Sequence, residues 1–407
     1  MTLAESAFAA LYRGLSVAEA EPTGYVASRL TSMGLSPDIQ VGQSAEITSD
    51  RSPRGDIRTD ASGVGDIGFE LLHTHLNDMW GYLLQTAGIP TGFAFGPDVG
   101  GWTITNAATN PNLEGAVGWT LGVSAGMALS FPASDNWSAN AGKIAVIKRI
   151  IDSDNAELVC HSGHLANESG DGVWRSSTWK NGTTKRELWV EKLLRDPTGP
   201  GTITSPISLY TEQYKNAVVA SCSHSFRPGQ AAAPGTFSIQ SGFPTIGTTR
   251  LGTTTITQVG AAKEPMNSLD QVQNIWVQPS TIASIGTDYS GLTSEFSWNY
   301  NNNVQRDAAV GAFGAINVRL GIPSITGTLN LFIENNQEML RLVNNTTLAL
   351  SIVVKDDDGD YLIFSCTAAK FGTGGTPINS AEDAAFQNLG WSGRDWRINS
   401  FLASEVA

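Results

Sequence analysis

A chain of 407 residues exceeds one ordinary core and points to two or three domains. Its net charge of −13 and pI near 4.8 disfavour tight, non-specific binding to nucleic acid or anionic lipid. Three widely spaced cysteines (Cys160, Cys222 and Cys366) make neither a disulfide framework nor a paired zinc motif, which indicates a reducing compartment.

The opening residues lack the basic-then-apolar order of a signal peptide, and no apolar run reaches the ~20 residues that cross a membrane. The expectation is a soluble protein made in a cytosol. Within an N-terminal arm over 1–30, residues 2–13 carry helical spacing (Leu3, Phe8, Leu11) that predicts a short docking helix; residues 24–37 read as irregular. Ala45 and Ile47 then alternate with Glu46, Thr48 and Asp50. After a polar loop over 52–63, Ile67, Phe69 and Leu71 alternate with Asp66, Gly68 and Glu70. Period two predicts strands with one dry face and one wet face. A helix follows, with Leu72, Leu76, Met79 and Leu83 on one side.

Residues 88–140 are rich in Gly, Ala, Asn and Pro and show no clear period, while 143–151 and 156–161 flank a turn and predict a hairpin. A β insertion is expected over about 100–175. Strand alternation resumes at 185–193, and a further pair is expected at 217–227 and 235–241. The connecting region holds expected strands at 252–258 and 274–278.

From Thr293 onward the first pattern returns. Phe296, Trp298 and Tyr300 alternate with Glu295, Ser297, Asn299 and Asn301. A Gly-containing loop over 304–322 leads to Ile325, Leu329, Leu331 and Ile333, opposed by Ser324, Thr326, Thr328 and Asn330. A short helix over 338–342, a strand at 348–354, the Asp358-Gly359 turn and a strand at 361–364 complete the unit. Aligning Gly65 with Gly327 gives an offset of 262 residues, at which both segments read strand, loop, strand, helix. The fold class is therefore mainly β, in two tandem domains, 31–245 (carrying the insertion) and 246–407, each with a short helix. Trp391 and Trp396 in the tail are expected to be buried.

Motifs for chemistry are weak. Gly122-Val123-Ser124-Ala125-Gly126 matches the serine-hydrolase elbow, but no helix is predicted after it, and Gly is about one residue in ten. Cys160, His161 and His164, or His73 with His75, lack the second ligand pair of a closed zinc site. The run 356–360 (DDDGD) lacks the first and twelfth carboxylates of a calcium loop and reads as a hairpin turn. Arg54-Gly55-Asp56 is too short to carry information, and no phosphate-binding loop is visible. No catalytic residue, metal or cofactor is expected.

Several of these segments resemble the major tail tube protein of long-tailed phages. Glu46-Ile47-Thr48-Ser49-Asp50-Arg51, followed by Gly65-Asp66-Ile67-Gly68-Phe69-Glu70-Leu71, is similar to that family's opening. So are Arg186 to Lys192, Phe296 to Asn303, and Pro323 to Leu329 running on to Glu338-Met339-Leu340. The likeness covers most of 40–90 and 180–370, and nothing is carried over to 88–175. It implies sandwich domains whose inner sheets join those of neighbours into a closed ring. Rings stack into a tail through which DNA passes. Two domains per chain imply trimeric rings with pseudo-sixfold symmetry, with hexamers as the alternative. Four strands per domain give about 24 in the ring, enough for a water-filled channel. The wet-parity residues Glu46, Thr48, Asp50, Asp66, Glu70, Glu295, Ser297, Asn299, Thr326, Thr328 and Asn330 would line it. Arg54, Asp56, Arg58, Arg306, Asp307 and Arg319, in the two long loops, are expected at contacts between rings.

The implied partners are other copies of the chain, other tail proteins and passing DNA, with no membrane anchor; the protein would be assembled in the host cytoplasm and end in the virion. A second reading, from another class, is a β-sandwich glycan-binding or host-attachment module with its tryptophans as stacking platforms. A third is a hydrolase built on Ser124.

Overall fold

The computed structural model describes residues 9–406 apart from 17–21, 23, 44–55, 74, 89–91, 96–100, 107–110, 116–119, 121–122, 161–164, 196–207, 249–254, 258–262, 281–285, 312–313 and 377–385. The first half contains β1 (Ala9–Ser16), β2 (Gly24–Ala27), β3 (Ser36–Gln43), β4 (Asp56–Glu70), α1 (Asn77–Leu83), β5 (Glu187–Arg195), β6 (Ser208–Phe226) and β7 (Pro234–Ser241). The second contains β8 (Val272–Pro279), β9 (Thr293–Asn301), β10 (Ser324–Phe332), α2 (Gln337–Val343), β11 (Leu348–Lys355), β12 (Tyr361–Gly375) and β13 (Phe386–Phe401).

Antiparallel pairing links eight of these strands in the order β3-β4-β7-β6-β9-β10-β13-β12. Each half supplies four, in matching sequence: β3, β4, β7, β6, then β9, β10, β13, β12. The seam between halves is the pairing of β6 with β9, from Ser221 opposite Asn301 to Phe226 opposite Phe296. The long strands β6 and β12 also turn into a second layer. There β6 pairs with β5 and β5 with β1, while β12 pairs with β11 and β11 with β8. Both helices are followed, two residues on, by a left-handed residue: Gln85 (φ 55°) and Asn345 (φ 50°). The repeat read from the sequence thus extends to strand order and local backbone.

Strands between residues 92 and 175 form a separate eight-stranded sheet. Its own core holds Trp102, Leu129, Phe131, Trp137, Ile147 and Leu158. One face packs on the second half, where Ile144 and Val146 meet Val353, Ile363 and Phe401. Asn399 fixes the contact by donating to the Gly126 carbonyl (3.0 Å). This explains why β11 is buried on both faces, Ser351 included: the sandwich core covers one side and the inserted sheet the other.

A single aromatic cluster spans the two halves. Trp80 of α1 meets Phe69 and Phe237 on its own side, and Trp298 and Phe364 across the seam (centroids 5.5–6.3 Å). Trp391 and Trp396 are buried there, as expected.

The helix expected at 2–13 is corrected over its described part. Residues 9–16 form β1, paired residue for residue with β5 from Ala9 opposite Leu194 to Ser16 opposite Glu187. Leu11 is buried on one face, and Arg13 donates to Asp78 (2.7 and 2.9 Å) and to the His75 carbonyl (2.7 Å). Apolar spacing this short fits either element; the ladder to β5 decides. The irregular stretch 24–37 contains β2, a two-residue strand at Ser32–Met33 and the start of β3. The polar loop expected at 52–63 is strand from 56 onward, because β4 continues its ladder against β3 to Asp56 opposite Gln43. The loop at 304–322 contains a small hairpin, Gln305–Ala308 against Ala315–Arg319. Ile333 lies past the end of β10 and is exposed, unlike Ile325, Leu329 and Leu331. The hairpin at 143–160 and the Asp358-Gly359 turn (Gly359 φ 90°) agree with the sequence reading, and 128–131, where no helix was expected, form a strand.

Candidate functional site

The eight-stranded sheet sorts its side chains by parity. Ile67, Phe69, Phe237, Ile239, Cys222, Phe296, Trp298, Tyr300, Ile325, Leu329, Leu389 and Trp391 are buried in the sandwich. The opposite parity forms a polar face lined with hydroxyls and amides. Strand register arranges it in rows. One row runs Gly68, Thr236, Ser223, Asn299, Thr326, Ser392, Lys370. Another runs Ser225, Ser297, Thr328, Gly390, Thr373, with Glu70 opposite Pro234 on the first half. Both cross the seam without interruption. A groove on this face is lined by Ser223, Ser225, Thr236, Ser297, Asn299 and Thr328 together with neighbouring backbone.

Charges on this face are few and mostly tied down. Arg227 donates to Glu295 (2.5 Å), which also accepts from Asn330 (3.2 Å). Asp66 accepts from Ser238, and Ser297 and Thr328 share a hydroxyl hydrogen bond of 2.7 Å. Asp66, Glu70, Glu295, Ser297, Asn299, Thr326, Thr328 and Asn330 therefore all stand on one polar surface. Glu46, Thr48, Asp50 and Arg54 lie outside the described residues. Asp56 and Arg58 are on β4, not in a loop. Arg306, Asp307 and Arg319 belong to the small hairpin, where Arg319 pairs with Asp307 (2.7 Å) and Arg306 reaches Asp60 (3.5 Å) across the seam. Sequence reasoning missed Ser221, Ser223, Ser225, Thr236, Ser238, Asn388 and Ser392. Serine at every second position from 221 to 225 was the available signal.

The two outer strands of the sheet are open. Among the described residues, β3 pairs only with β4, and β12 beyond Ala369 pairs only with β13. Apolar side chains sit exposed beside both edges: Ile39, Val41 and Ile57 at one, Leu340 and Val343 of α2 at the other. A family model described as phage tail tube protein matches residues 9–393. The chain belongs to that family. It is a structural protein of the virion tail, and no helix of the described residues is long and apolar enough to cross a membrane. A comparison with curated proteins found no match.

The other sequence candidates have different surroundings. Ser124 precedes a left-handed turn at Gly126 (φ 86°) that enters a strand, not the helix an elbow requires, and its backbone N–H faces Met127 Sδ. Cys160, His161 and His164 cannot be placed: the last two, and the cysteine side chain, lie outside what is described. His75 Nε2 accepts the Arg29 backbone N–H at 2.9 Å. His73 Nδ1 lies 3.1 Å from Asp360, and burial lowers its pKa against the pull of Asp360 and Asp356. The Lys263 ammonium occupies the centre of Asp356, Asp358 and Asp360, so a side chain already supplies the cation there.

Proposed function

We propose that this chain closes into a ring by pairing β12 of one copy with β3 of the next, and that stacked rings form a conduit for DNA lined by the polar face. The observation that carries this is the eight-stranded polar sheet with an open strand at each end and its middle seam already made. β6 is to β9 as β12 is to the next copy's β3. Residues 31–245 and 246–407 are then two tandem tube domains, with the inserted sheet outside. Three chains give about 24 strands, whose usual spacing and tilt put the backbone roughly 24 Å from the axis; six chains would double that. Three is the favoured number. Closure also removes both sheet edges, which are otherwise templates for aggregation.

The lining suits passage rather than binding. Each phosphate neutralised by a protein cation adds affinity through counterion release. A surface of Ser, Thr, Asn and a few carboxylates, with Arg227 held by Glu295 and Lys370 at the end of one row, offers few such contacts. The role is structural, without catalysis. The glycan-binding alternative needs exposed tryptophans, but the described ones are buried, save the partly buried Trp174. Electron microscopy of purified protein tests the reading: rings or tubes with a bore and threefold symmetry support it, and discrete monomers at all concentrations oppose it.

A further inference from the structure

Within the chain, the hairpin 305–319 does more than connect β9 to β10. It leans back across the seam and lies on the first half. Gly314 sits against the Ala61 carbonyl and Phe243, Ala315 against Gly242, and Asn317 accepts from Lys185 (3.3 Å). At its base, Asn302 crosses the seam and donates its amide to the carbonyls of Leu83 (2.8 Å) and Val219 (2.9 Å). Asn302 is buried. The seam therefore has a strap and a key.

The repeat defines where the same parts fall on the other side of each half. Pairing Asn301–Ser324 corresponds to Asp38–Ser62, so the hairpin of β3 and β4 corresponds to the strap, and Ile39 to Asn302. By the same register Ala61, Asp60, Gly242 and Phe243 correspond to Pro323, Ile322, Arg394 and Asp395. These four line an open groove on the second half. Ile322 there is 87% exposed. Leu83 corresponds to Val343, which is 76% exposed although Leu83 is fully buried. The first half has its groove filled and its helix end covered; among the described residues, nothing does the same for the second half.

We infer that the β3–β4 hairpin of one protomer straps across the inter-protomer seam onto this groove of its neighbour, with Ile39 seated against Val343 and Leu340 at the end of α2. The occupant is a second copy of this chain. The key differs between seams: an amide reaching two carbonyls inside the chain, an aliphatic side chain meeting exposed aliphatic ones between chains. Ile39 and Val41, which share one face of the hairpin and are otherwise exposed, are covered by the same step. The inference rests on the ring reading and assigns this hairpin to the same ring, where the sequence placed Asp56 and Arg58 at contacts between stacked rings.

The test is thiol cross-linking in assembled particles. Ile39→Cys with Val343→Cys, treated with a short bis-maleimide and run on denaturing gels, should yield species that stop at three chains. Either single variant should give none. A ladder running past three chains places the hairpin on a stacked ring and overturns the inference. Rings that form by microscopy yet give no cross-link also overturn it, whereas absence of any ring counts against the tube reading itself. A second variant, Ile39→Asp, should raise the protein concentration needed for assembly at least tenfold. It should leave the monomer's melting temperature unchanged, because Ile39 is not part of the monomer's core. Unchanged assembly would refute the key.

Discussion

His224 offers a direct measure of how dry the seam is. It lies on β6 opposite Trp298 of β9, stacked at 5.8 Å and 8°, with Phe69, Phe226 and Phe364 also in ring contact. Neither ring nitrogen has a hydrogen-bond partner among the described residues, and burial pushes its pKa down to about 3. In the unfolded chain the same group titrates near 6.5, so below that pH the unfolded state takes up a proton that the folded state refuses. Stability from this group is complete above pH 6.5 and falls as the pH drops towards 3, by about 1.4 kcal/mol per pH unit, or roughly 2.7 kcal/mol at pH 4.5. Denaturant unfolding of dissociated protein at pH 7.5 and 4.5 should show that loss in the native sequence and not in His224→Phe. Contributions from His75, lowered to about 4 by burial first and then by Arg13, are common to both proteins and cancel. Equal pH dependence in the two would show that the ring is solvated, and so that the halves do not share a closed core.

Replacing Asp66 and Glu70 by lysine should leave tube formation intact but make tubes retain DNA, read by co-sedimentation at low and high salt; unchanged retention counts against these residues facing the bore. Trp80→Ala removes the fully buried ring that touches both halves and should cost about 3–5 kcal/mol in denaturant unfolding, with a single transition retained. Lys263→Met leaves the buried Asp356 and Asp360 without their shared cation and should lower stability by about 1–3 kcal/mol at pH 7, with the deficit shrinking in acid as the carboxylates protonate.

The parity of the polar-faced sheet was legible because each strand has one wet and one dry side, as in Phe296 to Asn301. Other features failed for identifiable reasons. β1 is short, and three apolar residues cannot separate a helix from a strand whose partner lies in β5. β11 alternates in letters, yet Ser351 is as buried as its neighbours, since a sheet from a different part of the chain covers it. The polarity of 56–60 suggested a loop, but there β4 runs past the end of β7 and pairs with β3 alone, so 57–59 are exposed and their composition is loop-like. The seam of β6 with β9 is a long-range pairing with no local signature. The groove opposite it emerges only when the two halves are compared in register.

The two seams also bear on why the halves are fused. In a ring of six separate domains every seam would depend on concentration, whereas in the proposed ring of three chains three of the six seams would be intramolecular. Fusion brings a hazard: before β6 has captured β9, the β3 edge of another chain is a competitor for the same place. The key residues discriminate. Ile39 placed where Asn302 belongs would leave the carbonyls of Leu83 and Val219 without the amide, at roughly 1–3 kcal/mol for each unpaired group. In the proposed ring, a polar key inside the chain and an apolar one between chains would therefore favour each half closing on its own partner first, with ring closure following as a separate, concentration-dependent step.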